Sequence, residues 1–199
     1  MAYSVIGKSV PRVDGRVKVT GQAVFAADLA LPGMLYGKLV RSPYAHAKIV
    51  NIDTSQAEKL LGVRAVVTGK DFPQVKFGFL PRTRDRVAWP QDKARHYGEA
   101  VAAVAAIDED TAEEAVDLIK VEYEELPAVL TAEEAMREGA PLVHEQAANN
   151  ITFANKYHFG DVDKGFQESD YIKESVFKSQ RVVPGFLEPH AILAYVDAS

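Results

Sequence analysis

The stretch Arg181-Val182-Val183-Pro184-Gly185-Phe186-Leu187-Glu188-Pro189-His190-Ala191-Ile192-Leu193-Ala194-Tyr195-Val196-Asp197 constrains the fold most. An apolar run before Glu188-Pro189-His190 and an alternating run after it describe two strands of a sheet, whose partners the chain does not supply. The expectation is a polypeptide that forms part of something larger.

The apolar fraction, 47% of 199 residues, is enough to build a core, either one ordinary domain or one compact domain with a partial second one. Asp and Glu outnumber Lys and Arg by 28 to 23, and no basic run interleaved with aromatics tracks a phosphate backbone, so nucleic acid is not an expected partner. With no cysteine, the chain itself holds no disulfide, thiolate zinc site, cysteine-bound iron-sulfur cluster or thiol nucleophile. Met1 to Lys8 lacks the apolar core of a signal peptide, and no apolar run approaches the roughly 20 residues of a membrane span. A cytoplasmic location without membrane association is expected.

Residues Ser9 to Gly21 mix charges with Pro11, Gly15 and Gly21 and read as an extended arm on a neighbour or as a solvated tail. Strands are expected at Met34 to Arg41 and Ala47 to Asp53. Ser55 with Glu58 forms a capping box for a helix stopping at Gly62, and Val63 to Thr68 returns as a strand, so this unit reads as a compact crossover. Phe72 to His96, including the basic patch Pro81 to Arg86, reads as a long irregular loop. Ala100 to Ile107 suits a strand covered on both faces or a helix; strand is preferred because a clearer helix, opened by Asp110 and Thr111, follows at once. Val121 to Pro127 is extended, and Thr131 with Glu134 caps a short helix ending near Gly139. Ile151 to His158 and Tyr171 to Val183 read as long strands, with a turn and short helix over Asp161 to Ser169. The fold class is α+β. The domain plan is an arm at 1–19, a domain at 20–127, a linker at 128–150 and an incomplete second domain at 151–199.

Chemistry is sparse. His46, His96, His144, His158 and His190 lie far apart, none at the i, i+4 spacing of a helical metal site, so each reads as a hydrogen-bonded or surface histidine. Glu188 and His190 interrupt an apolar strand pair and are the strongest polar candidates, with burial against a backbone partner expected before catalysis. The pairs Glu113-Glu114, Glu124-Glu125 and Glu133-Glu134 point their carboxylates apart and read as solvated faces and helix starts. Neither a glycine-rich phosphate loop nor a nucleophile elbow is present. The residues assign no catalytic, cofactor-binding or metal-ligating side chain.

Five landmarks in order carry a resemblance. Val13-Asp14-Gly15-Arg16-Val17-Lys18-Val19-Thr20-Gly21, Leu31-Pro32-Gly33-Met34-Leu35, Arg41-Ser42-Pro43-Tyr44-Ala45-His46-Ala47-Lys48-Ile49, Tyr97-Gly98-Glu99-Ala100-Val101-Ala102 and Val121-Glu122-Tyr123-Glu124-Glu125-Leu126-Pro127 are similar to the opening of the molybdenum-binding subunit of the xanthine dehydrogenase and aldehyde oxidase family. The resemblance spans nearly the whole chain. It implies an α/β-hammerhead domain followed by the start of a first molybdopterin-binding domain.

It also implies a part of a molybdenum hydroxylase, in which a molybdenum-pterin centre hydroxylates an aldehyde, purine or other N-heterocycle with oxygen from water. Electrons would leave through iron-sulfur clusters and FAD on separate domains or subunits. The expected partners are the remaining molybdopterin-binding domains or subunit and the iron-sulfur and FAD subunits, with self-association through uncovered apolar edges. The family's pterin-contacting segment and catalytic glutamate lie downstream of the resembling region. Its glutamine near the molybdenum falls at Val182 or Val183 when aligned on Leu187-Glu188, with Gln180 displaced. The resemblance thus assigns this chain no site residue and a structural, docking role. The competing reading is a free-standing interaction module that kept the fold without catalysis.

Overall fold

The computed structural model of the protein describes residues 3–78 and 84–196. The chain divides into two units, Gly33–Gln167 and the terminal segments Met1–Pro32 with Glu168–Ser199. The expected basic patch lies partly outside the described residues, at 81–83, as does Asp197 at the end of the final run.

The larger unit holds two antiparallel three-stranded sheets. The first orders β1 (Tyr36–Arg41), β5 (Ala100–Ala106) and β3 (Val63–Thr68); the second orders β4 (Lys93–Ala94), β2 (Ala47–Asp53) and β6 (Lys120–Glu125). Helix α2 (Glu109–Leu118) packs on the first sheet. The central strand β5 is alanine-rich for a physical reason. Ala102, Val104 and Ala106 are buried in one cluster with Ala112 and Ala115 of the helix, and small side chains on both surfaces let strand and helix approach closely. Ala57 and Ile119 complete that cluster, while Ile52 and Val121 from the second sheet pack against it. Mixed strands and helices make the fold α+β, as expected.

Several local expectations change. The helix α2 starts at Glu109, just before the Asp110 and Thr111 that suggest its opening, and is capped by Asp108, whose carboxylate accepts from the Thr111 amide at 2.7 Å. After β2 the chain makes a 3-10 turn at Ala57–Lys59 in place of a capped α-helix. Glu58 accepts there from the Thr54 hydroxyl at 2.6 Å, and Asp53 accepts from the Ser55 amide at 3.0 Å. The segment is no crossover, because β2 and β3 belong to different sheets. Its end is as expected, Gly62 at φ 101°.

The loop at 72–96 contains structure of its own, an isolated bridge between Phe77 and Arg86, a stack of Phe72 on Trp89, and β4. Glu113 is more than a solvated face, since Lys38 on β1 donates to both Glu109 and Glu113 at 2.7 Å and ties helix to sheet. Helix α3 (Ala132–Ala135) has the expected cap, Thr131 accepting from the Glu134 amide at 3.2 Å, but it stops short of Gly139.

The terminal segments contain the short helix α1 (Gly15–Val19), so the arm is not wholly extended; Asp14 pairs with Arg12 at 2.9 Å and Lys18 at 2.7 Å. Beyond residue 150 a short helix α4 (Val162–Gln167) forms within the expected span. Ile151 to His158, Tyr171 to Val183 and Ala191 to Val196 are not strands. Each carries a strand pattern, yet a strand exists only as a hydrogen-bonded partner of another, and among the described residues none pairs with them. Among the described residues no helix is long and apolar enough to cross a membrane.

Candidate functional site

Three of the sequence landmarks converge on one half-buried polar centre in the larger unit. The turn after β1 clasps the turn before β5: the Ser42 amide donates to the Glu99 carbonyl, the Ser42 carbonyl accepts from the Gly98 amide, and Arg41 Nη1 donates to the Gly98 carbonyl, all at 2.8 Å. Ser42 is buried because its hydroxyl serves its own turn, accepting from the Tyr44 amide at 3.1 Å and donating to the Tyr44 carbonyl at 3.2 Å. The third landmark enters through β6. Its Leu126 amide donates to the His46 carbonyl at 2.9 Å, the Tyr123 ring lies 5.3 Å from the Tyr44 ring, and the Pro127 carbonyl accepts from His46 Nδ1 at 2.7 Å.

The electrostatics follow from burial. A carbonyl oxygen can only accept, so His46 Nδ1 carries a proton, and its Nε2 is buried without a hydrogen-bond partner. Burial pushes the Tyr123 phenol up, opposed by the Ser42 hydroxyl. Next to this centre Lys93 is buried and pairs with Glu145, whose carboxyl that hydrogen bond holds down at about 2. Arg95 Nη2 bonds Asp92 at 3.0 Å and stands 4.0 Å from Glu145, while the Arg95 amide donates to the Glu99 carboxylate. Burial, with Arg95 adding to it, lowers the neighbouring His144.

This arrangement fastens segments together and offers no reacting geometry. Among the described residues no three His, Cys, Asp or Glu side chains gather as metal ligands would. A separate groove of about 260 Å³ runs between β2 and the turn after β3, but its carboxylates Glu58 and Asp71 are engaged by Thr54 and Thr68.

The histidines have separate surroundings: His46 in the polar centre, His144 beside Arg95, His96 with Nδ1 3.1 Å from the Tyr97 carbonyl, His158 exposed, and His190 exposed with its ring 5.2 Å from that of Phe186. Glu188 and His190 therefore differ from expectation, exposed where burial against a backbone partner was expected, because the flanking runs form no sheet. Gln180, Val182 and Val183 are exposed as well. The pair of buried Lys93 and exposed Glu145 was not legible. Its members stand 52 residues apart, and neither sits in a patterned segment.

A family model described as aldehyde oxidase and xanthine dehydrogenase, a/b hammerhead domain, matches residues 20–127, and one described as molybdopterin cofactor-binding domain matches residues 143–199. The chain is 44% identical over 178 residues to a probable xanthine dehydrogenase subunit of Bacillus subtilis, covering 89% of this chain and 23% of that protein. It is 39% identical over 196 residues to the nicotinate dehydrogenase large molybdopterin subunit of Eubacterium barkeri, covering 98% of this chain and 45% of that protein. Among solved structures, quinoline 2-oxidoreductase from Pseudomonas putida matches with a TM-score of 0.58 at 40% identity, over 65% of this chain and 17% of that one. The aldehyde oxidoreductase of Desulfovibrio gigas matches with a TM-score of 0.60 at 34% identity, over 68% and 16%. The chain thus spans less than half the length of the curated relatives it matches.

Proposed function

We propose a role for this chain from one premise: it belongs to the aldehyde oxidase and xanthine dehydrogenase family, as hammerhead region followed by the start of a molybdopterin cofactor-binding domain. Its role is to dock against the cofactor-bearing remainder of a molybdenum hydroxylase, with no turnover by this chain alone. In the complete enzyme a molybdenum-pterin centre hydroxylates an aldehyde or N-heterocycle, and iron-sulfur clusters and FAD on other domains or subunits carry electrons away. We assign residues 1–19 as arm, 20–127 as hammerhead, 128–150 as the joining segment and 151–199 as cofactor-domain start. No catalytic, cofactor-binding or metal-ligating residue is assigned within them, and the location is cytoplasmic.

The residues present do not fit the pterin group. A cofactor site must enclose its ligand, whereas in the span matched by the cofactor-domain model every described residue from 151 to 192 is exposed. No reaction step is therefore derived from these side chains.

The observation that carries the docking role is the apolar surface of that span. Phe177 is 91%, Val183 89% and Leu187 103% exposed, in runs with strand patterning and no strand partner among the described residues. Such a surface is an interaction surface. A free-standing module would instead keep these positions covered. The test is to recover the tagged chain from its native cell extract and measure molybdenum and iron in the eluate. Recovery with both metals supports the docking role; recovery alone and metal-free overturns it.

A further inference from the structure

The segment expected as a linker is tied down at two points. Asn150 closes it on itself: its Oδ1 accepts from the Val143 amide at 2.8 Å, and its Nδ2 donates to the Ala135 and Pro141 carbonyls, each at 2.9 Å. All the side chain's bonding groups are thereby engaged across fifteen residues. Glu145 anchors it to the second sheet through Lys93, whose side chain is only 9% exposed. Glu145 is itself 66% exposed, but the buried Lys93 ammonium would be costly to leave without a carboxylate, so the attachment fixes the strap at this position. Asn149 and Asn150 also stand at φ 53° and 56°, consecutive left-handed residues of the type that asparagine tolerates best. A slack linker has no need of any of these.

We propose that residues 131–150 form a locked strap, closed by Asn150 and anchored by Glu145 on Lys93, that sets the direction in which the chain leaves the hammerhead sheets toward its cofactor-domain segment. The proposal deepens the docking role and rests on it for its purpose. The mechanical claim, that the strap is fastened at these two points, stands on the bonds alone. Glu145 and Asn150 are positioning residues.

Hydrogen exchange on the full chain tests the claim. Asn150→Gly removes the three side-chain bonds while permitting the left-handed backbone. Glu145→Gln removes the anchor's charge, and Lys93→Met removes the anchor without stranding a buried charge. Each is expected to speed exchange of the Val143 amide and its strap neighbours about tenfold or more, leaving β5 and α2 amides as protected as in the parent. Two results would overturn the proposal. One is parent strap amides that exchange as fast as those of residues 171–183. The other is a Lys93→Met chain whose strap stays protected, since the effect of Glu145→Gln would then be that of a stranded charge. Failure to recover molybdenum with the parent chain bears on the docking role and leaves the exchange pattern untouched.

Discussion

At Gly69 a Cβ would stand 2.4 Å from the Pro90 carbonyl oxygen, and the glycine's own carbonyl accepts from Gln91 Nε2 at 2.7 Å and Gln74 Nε2 at 3.3 Å. Gly69→Ala must push apart two backbone segments that these amides hold together, with an expected loss of about 1–3 kcal/mol in urea unfolding. Glu145 carries a pH dependence of definite sign. Its folded value, about 2, lies below the ordinary carboxyl, so its contribution is complete at neutral pH and is lost as pH falls through that range. The difference in urea midpoint between the parent and Glu145→Gln should therefore be largest near neutrality and close toward pH ~2. Of these residues only Gly69 stands beside an element boundary that the strand pattern located. Its contact with Pro90, like the Lys93 to Glu145 pair, arises from a return of the chain that no local spacing encodes.

Elements announced themselves when their stability was local. The strand β5 and helix α2 were legible from an apolar run followed by an acidic helix start, and α3 from its Thr131 cap. Asp108→Ala should cost about 1 kcal/mol, because the Thr111 amide loses its acceptor at the helix start. Ala112→Leu should cost more, about 1–3 kcal/mol, by forcing the helix off the alanine surface of β5. Thermal or urea denaturation of the two variants checks both the sizes and their order. Pairing was harder to read than existence. β2 and β3 follow one another through a short turn, yet they enter separate sheets, because a strand's hydrophobic pattern fixes its buried face and leaves its neighbour open. The same limit explains residues 171–183, which read as a strand and have no strand to join among the described residues.

For the molecule as a whole, the larger unit gathers its apolar side chains around β5 and α2, whereas the span after residue 150 leaves large apolar side chains in water. Isolated chain should therefore associate with itself as concentration rises, seen as a growing mean mass in sedimentation, and Phe177→Ser combined with Leu187→Ser should suppress that growth. A mean mass that stays monomeric at every concentration would remove the basis for treating this surface as sticky. The exposed stretch has a cellular consequence too. Extended backbone carrying bare phenylalanine and valine is what chaperones and degradative proteases recognise in unassembled subunits, so under the proposed docking role the abundance of this polypeptide should follow the supply of whatever covers that surface more than its own rate of synthesis.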